Sequence, residues 1–366
     1  MKLASKGMLL ALTLWMGMTL TACGTTGSST NGVSGGGNAG GTSDTAATTV
    51  QSTGETKEKA EKTLSGSVVV YSAGPEGLAN KIKEGFEAKT GVKVEMFQGT
   101  TGKILARMEA EKSNPAVDVV VLASLPSMQG LNSEGLLLSY PEAASADKLI
   151  PGWSDEQGHY FSYSASALGI VYNTKLVQTP PASWAELGQA QWSGQVNIPD
   201  PSLSGSALDF ISGYLSESGE EGWKLFEQFK QNGVAMAGAN QEALDPVITG
   251  AKSIVAAGVD YMAYKAKAKG EPVDIVYPKE GTVISPRPAA IVKSSPHVDN
   301  AKAFMDYLLS DEAQQLVAEA YLLPGRQDIQ AKDRTNAADI KTYNVNWQWM
   351  KEHSEEVATR FTQLFK

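Results

Sequence analysis

Ser204-Gly205-Ser206 is the segment of this sequence best equipped for chemistry. It follows Pro199-Asp200-Pro201 and opens an apolar run, Leu208, Phe210 and Ile211, at helical spacing. The first-turn amides of a helix have no intrahelical acceptor, and the helix dipole favours negative charge there. Two hydroxyls beside those amides make a site for a phosphate-like anion that needs no lysine. A serine N-cap is the plainer use of the same residues. Gly99-Thr100-Thr101-Gly102-Lys103 is a second turn rich in donors. Its glycine spacing is wrong for a P-loop, and Ile104 stands where Ser or Thr would hold magnesium, so nucleotide hydrolysis is excluded. Thr100, Thr101 and Gly102 can still grip an anion from the opposite side of a cleft, or simply cap a helix.

Other constellations fall away. Gly32-Val33-Ser34-Gly35-Gly36 matches the G-x-S-x-G pattern, but it lies in a polar tract with no strand before it and no helix after it. His159, His297 and His353 are scattered and show no metal spacing. No activated nucleophile or paired acid and base emerges, so neither an enzyme nor a cofactor is expected. The 366 residues carry a formal charge of −9 without any Lys/Arg block, which argues against a nucleic-acid partner.

The elements that must position these turns can be read from periodicity. Ser67 to Tyr71 is a continuous β-branched run, as in a parallel strand buried on both faces. Leu78, Ile82 and Phe86 recur at helical spacing, and Thr90-Gly91 ends that helix. Val92 to Phe97, Lys103 to Lys112 and Asp118 to Leu122 continue the alternation. Ligands of such a βαβαβ sheet bind beyond the C-terminal strand ends. Those ends are Ser72-Ala73-Gly74, Gln98 to Gly102, and Ala123-Ser124, which makes Ser72 and Ser124 candidates as well. A second α/β set has strands at Gln195 to Ile198, Val234 to Met236, Ser253 to Ala256 and Val273 to Val276. Two long extended runs, Ser164 to Asn173 and Thr282 to Lys293, connect the sets. The expected fold is therefore α/β and two-lobed, with a hinge of two crossings and an interlobe cleft. Residues 65–168 and 286–366 form the first lobe, and 169–285 the second.

The N-terminus addresses this body. Lys2 and Lys6 precede Leu9 to Leu20, an apolar stretch shorter than the roughly 20 residues that span a bilayer. Residues 1–22 thus read as a signal peptide. Leu20-Thr21-Ala22-Cys23 resembles a bacterial lipobox, which implies that Cys23, the only cysteine, carries lipid at the mature terminus. Residues 23–64 are Gly, Ser, Thr, Asn and Ala with few large apolar side chains, a flexible tether of about 35 Å. Residues 1–22 hold two lysines and no acid, so cleavage leaves a net charge of −11. The expected location is the extracytoplasmic face of the bacterial cell membrane.

Together with the lipobox and tether, several stretches resemble a type II periplasmic-type solute-binding protein. They are Val70-Tyr71-Ser72, Phe86 to Val94, Gly99 to Lys103, Asn114 to Val119, Gly169 to Thr174 and Asn300 to Leu309. The nearest subgroup is that of ferric-iron and phosphorylated-solute receptors. The resemblance covers about residues 67 to 330. It implies a monomeric receptor that captures a small anionic solute, of phosphate or phosphonate type, for an ABC permease. It also implies that Ser204, Gly205 and Ser206 face the cleft and that Asn240 contacts the anion. Asp260-Tyr261 stands where ferric-binding relatives have two tyrosines, and only Tyr261 matches, which weakens iron. Asp260 would then bind the hydroxyl or ammonium end of the ligand, or cap the helix after it. Ser166 replaces an arginine of those relatives, and Arg287 is the candidate to restore the charge. Two alternatives stand beside this one: a ferric-iron receptor, with Tyr261 as ligand, and the extracytoplasmic sensor of a two-component system.

Overall fold

The computed structural model describes residues 64–366. The proposed signal peptide, Cys23 and nearly all of the tether lie outside the described residues. The chain begins with β1 (Ser67–Ser72), α1 (Glu76–Thr90), β2 (Lys93–Gln98), α2 (Thr101–Ala110), β3 (Val119–Val121) and α3 (Leu125–Ser133). β1 pairs parallel with β2 on one side and β3 on the other. The βαβαβ unit expected from periodicity is present, and its helices cover both faces. Leu78, Ile82 and Phe86 of α1 pack on one face, Ile104 of α2 with Leu125 and Met128 of α3 on the other.

The long strand β4 (Phe161–Asn173) then leaves this lobe, and it is buried at every position but one. The second lobe holds β5 (Val196–Pro199), α4 (Gly205–Ser218), α5 (Trp223–Gln231), β6 (Ala235–Ala237), α6 (Asn240–Ile248), β7 (Ile254–Val259), α7 (Asp260–Ala268) and β8 (Val273–Val276). β9 (Ile284–Ile291) returns, followed by α8 (Val298–Leu308), α9 (Asp311–Glu319), β10 (Leu323–Pro324) and α10 (Trp347–Phe365). The sheet order is β2-β1-β3-β9-β4-β7-β5-β6, with β8 and β10 also on β4.

β4 and β9 are the two crossings. The first half of β4 pairs antiparallel with β9, from Phe161 opposite Ala289 to Ala167 opposite Ile284. Its second half pairs with β7 and β8. One strand is thus shared by both lobes, and a bend within it would move one lobe against the other. The C-terminal helix departs from the sequence-based division, which put all of 286–366 in the first lobe. Val357 and Phe361 of α10 enter the core of the second lobe beside Phe226 and Leu215. Phe361 meets Phe226 edge-on at 5.3 Å between ring centroids. The apolar spacing of α10 defines a face, but it does not say which lobe that face covers.

Candidate functional site

The C-terminal strand ends of both lobes converge on a cavity of about 350 Å³. Its wall in the second lobe is the start of α4. Ser204 has extended backbone dihedrals, and its Oγ accepts the amide of Ala207 at 3.2 Å, so it is the N-cap. The same hydroxyl donates to Asn240 Oδ1 at 3.0 Å, while Asn240 Nδ2 donates to Ser206 Oγ at 3.1 Å. Asn240 opens α6, so one amide side chain ties two helix starts together at the cavity wall. The amides of Gly205 and Ser206 belong to the first turn and have no acceptor within the helix.

The first lobe supplies the turn before α2. Thr100 caps that helix through Oγ1, which accepts Lys103 N at 3.4 Å. Thr101 Oγ1 accepts the Ala123 amide at 3.1 Å, which clamps the ends of β2 and β3 together. Both threonines line the cavity. Gly102 lies just behind them, and a Cβ there would stand 2.4 Å from the carbonyl oxygen of Ser202. Glycine is required at this spot because the two lobes meet backbone to backbone.

Arg287 is the cation of the site. Only 2% of it is exposed, yet it lines the cavity. Nη1 donates to the Ala73 carbonyl at 3.2 Å and Nη2 to Ser166 Oγ at 3.4 Å. Nε has no partner in the described structure. The guanidinium also lies 5.3 Å from the ring centroid of Tyr261. Burying a cation without a carboxylate partner is costly, and a bound anion would remove that cost. Ser166, on the first crossing, accepts this bond from the arginine that reaches across from the other crossing.

Three expected site residues point elsewhere. Ser72 is buried, and its Oγ accepts the Gly74 amide at 3.1 Å. Ser124 caps α3 and spends its proton on Asp209 Oδ1 at 2.6 Å. The largest correction concerns Asp260. It is fully buried, does not line the cavity, and forms an ion pair with Arg334, whose side chain is equally buried. Its Oδ2 also accepts the Ala167 amide at 2.9 Å and the Tyr277 hydroxyl at 3.2 Å. Every oxygen is engaged, since Oδ1 takes the amide of Tyr261 at 2.7 Å. Asp260 is thus turned into the fold, toward Arg334 and these donors, and away from the cavity. Tyr261 itself lines the cavity. Burial pushes its phenol up, and Asp260 adds to that while Arg287 opposes it. A hard trivalent cation needs several anionic oxygens, and one phenol supplies only one. Among the described residues no three His, Cys, Asp or Glu side chains are grouped to hold a metal.

A second cavity of about 570 Å³ shares Pro75, Glu76, Gln241, Tyr261 and Met262 with the first, so the cleft continues beyond it. A larger apolar groove, about 780 Å³, lies on the first lobe along α2 and α3 and includes none of the expected site residues.

Two lobes joined by shared strands, with donors and one buried cation between them, define the type II periplasmic binding protein class. The chain belongs to the bacterial extracellular solute-binding protein family, whose description matches residues 114–353. A Salmonella paratyphi A protein, provisionally named a 2-aminoethylphosphonate-binding periplasmic protein, is 27% identical over 279 residues, 72% of this chain and 80% of its own. The fold is similar to that of the periplasmic binding protein AfuA from Actinobacillus pleuropneumoniae, solved with fructose-6-phosphate bound. That likeness has a TM-score of 0.76 at 21% identity over 82% of this chain and 98% of the other. Iron-bound HitA from Pseudomonas aeruginosa is similar at a TM-score of 0.72 and 21% identity, covering 81% and 99%.

Proposed function

We propose that this solute-binding protein captures a small organic anion of phosphate or phosphonate type in its cleft and delivers it to an ABC permease. The observation that carries this reading is Arg287, buried without a salt bridge in the wall of the cavity that the open first turn of α4 also lines. The name of the Salmonella relative and the ligand of AfuA support the same chemistry. Capture works by closure of the lobes about β4 and β9, because a ligand shifts an equilibrium only through differential affinity for the two states. The protein acts as a monomer and does not turn its ligand over. Iron fits less well, since Tyr261 is the one tyrosine among the described residues that line the cavity.

Calorimetric titration with 2-aminoethylphosphonate, fructose 6-phosphate and ferric citrate tests this. At least one of the two phosphorus compounds should bind, and Ser206→Ala should weaken it by about 1–3 kcal/mol for the lost charge-assisted bond. Exclusive binding of ferric citrate, with a visible band lost in Tyr261→Phe, would establish the iron reading instead.

The anchor is part of the proposal. With Cys23 acylated, residues 23–64 leash the body to the outer face of the cell membrane. In Cys23→Ala the protein should leave the membrane fraction or remain an uncleaved precursor. Full retention of a correctly processed Cys23→Ala protein would show that lipid does not hold it.

A further inference from the structure

Asp209 is a carboxylate on a helix face built for the core. It lies between Leu208 and Phe210 in α4, and it is fully buried. Instead of a salt bridge it has two hydroxyls. Oδ1 accepts Ser124 Oγ and Oδ2 accepts Ser285 Oγ, each at 2.6 Å. The three residues come from three bodies: α4 of the second lobe, the start of α3 in the first, and the returning crossing β9. One turn earlier on the same helix face, a Cβ on Gly205 would lie 2.7 Å from Thr101 Oγ1 and 2.9 Å from the Ala123 carbonyl oxygen. With the contact between Gly102 and Ser202, these distances describe lobes that already touch. The touching edge is built from glycines on its rim and from Asp209 behind them.

We propose that Asp209 is the latch of this closed state, a positioning residue bound by Ser124 and Ser285 when the lobes meet around the anion and returned to water when they part. The inference rests on the capture reading above and adds to it a dependence of closure on one proton. Burial pushes the carboxyl up to about 7, against the opposing pull of the Ser124 and Ser285 hydroxyls, the Leu125 amide and the Arg287 charge. Arg287, on β9, is the charged group that acts on it. α3 presents only the Ser124 hydroxyl and the Leu125 amide, and none of the other described elements packed on α4 bonds to it. In the open state the same group meets water, where a carboxyl has its ordinary value near 4. The sign follows: the closed state holds the proton more tightly, so closure is favoured near pH 4, weakens as the pH rises from about 4 to 7, and changes little above 7.

The test compares the protein with Asp209→Asn, whose amide mimics the protonated carboxyl, using 2-aminoethylphosphonate as probe. The probe's own titration is common to both proteins, so the ratio of their affinities isolates Asp209. That ratio should be near one at pH 4, and between about pH 4.5 and 6.5 the parent should fall behind the variant by nearly tenfold for each pH unit. In Ser285→Ala, which removes one donor to the charged form, the pH at which the weakening levels off should move upward. A ratio constant from pH 4 to pH 7 overturns the latch. Small-angle scattering decides the case without ligand. The radius of gyration of the unliganded protein should fall on acidification from pH 7 to pH 5, and that of Asp209→Asn should not change. Equal responses in both proteins refute the latch. If the probe binds neither protein while scattering behaves as expected, the ligand reading fails and the latch stands.

Discussion

Arg287→Met should lower affinity for a phosphonate or phosphate ester by two decades or more. Truncating one side of a buried charged pair typically costs about 2–5 kcal/mol, much of it from leaving the other charge unpaired. Here the unpaired group would be the ligand, held by neutral hydroxyls and two helix amides alone. The unliganded protein should tolerate the change, because Arg287 forms no salt bridge and has only two long hydrogen bonds to lose. Arg287→Lys should restore only part of the affinity, since an ammonium cannot reproduce the planar fork that reaches Ala73, Ser166 and the cavity at once. Calorimetry gives the affinities, and urea unfolding without ligand gives the stability. An Arg287→Met protein that binds as tightly as the parent would remove the cation from the site.

The second large effect concerns stability. Arg334→Met should cost about 3–5 kcal/mol, because it leaves the Asp260 carboxylate buried without its counter-ion. The tyrosine hydroxyl and backbone amides that remain on Asp260 stabilise the charge only in part. Asp260→Leu combined with Arg334→Met should be milder than Arg334→Met alone, since two apolar groups of suitable volume need no desolvation of charge. Urea unfolding of the ligand-free proteins measures both. A loss below about 1 kcal/mol in Arg334→Met would mean that the pair is solvated and that Asp260 remains available to a ligand. The pair also joins α7 to the segment after β10, so its loss should loosen the C-terminal strap across the hinge.

The parts of the fold that periodicity could reveal were those with local signals. Val68 to Tyr71 and Asp118 to Leu122 are β-branched runs between glycines and helical spacings, and they became β1 and β3. The start of α4 was legible because Ser204 follows a Pro-Asp-Pro turn and precedes an apolar helix face. What escaped were choices made over long sequence distances. Asp260 looked like a ligand group because its partner, Arg334, is 74 residues away in a segment without periodicity. Ser124 sits at a strand end, as a binding residue should, but Asp209 takes its hydroxyl from 85 residues further on. The meeting of Arg287 with Ser166 depends on the antiparallel register of β4 and β9, which no local pattern specifies. Asp209 did leave a trace. It is an acid in an apolar helix face, four residues after a glycine, and both residues turn toward the first lobe.

The central claim is that one anion is held between Arg287 and the first turn of α4. A crystal structure of the protein grown with 2-aminoethylphosphonate or fructose 6-phosphate tests it most directly. The phosphorus group should lie in the cleft, with oxygens within hydrogen-bond distance of the Arg287 guanidinium, the Gly205 and Ser206 amides and the Thr100 hydroxyl, and with Asp260 still on Arg334. Density for the ligand elsewhere, or for a metal ion on the Tyr261 oxygen with the α4 amides bound to water, would contradict it.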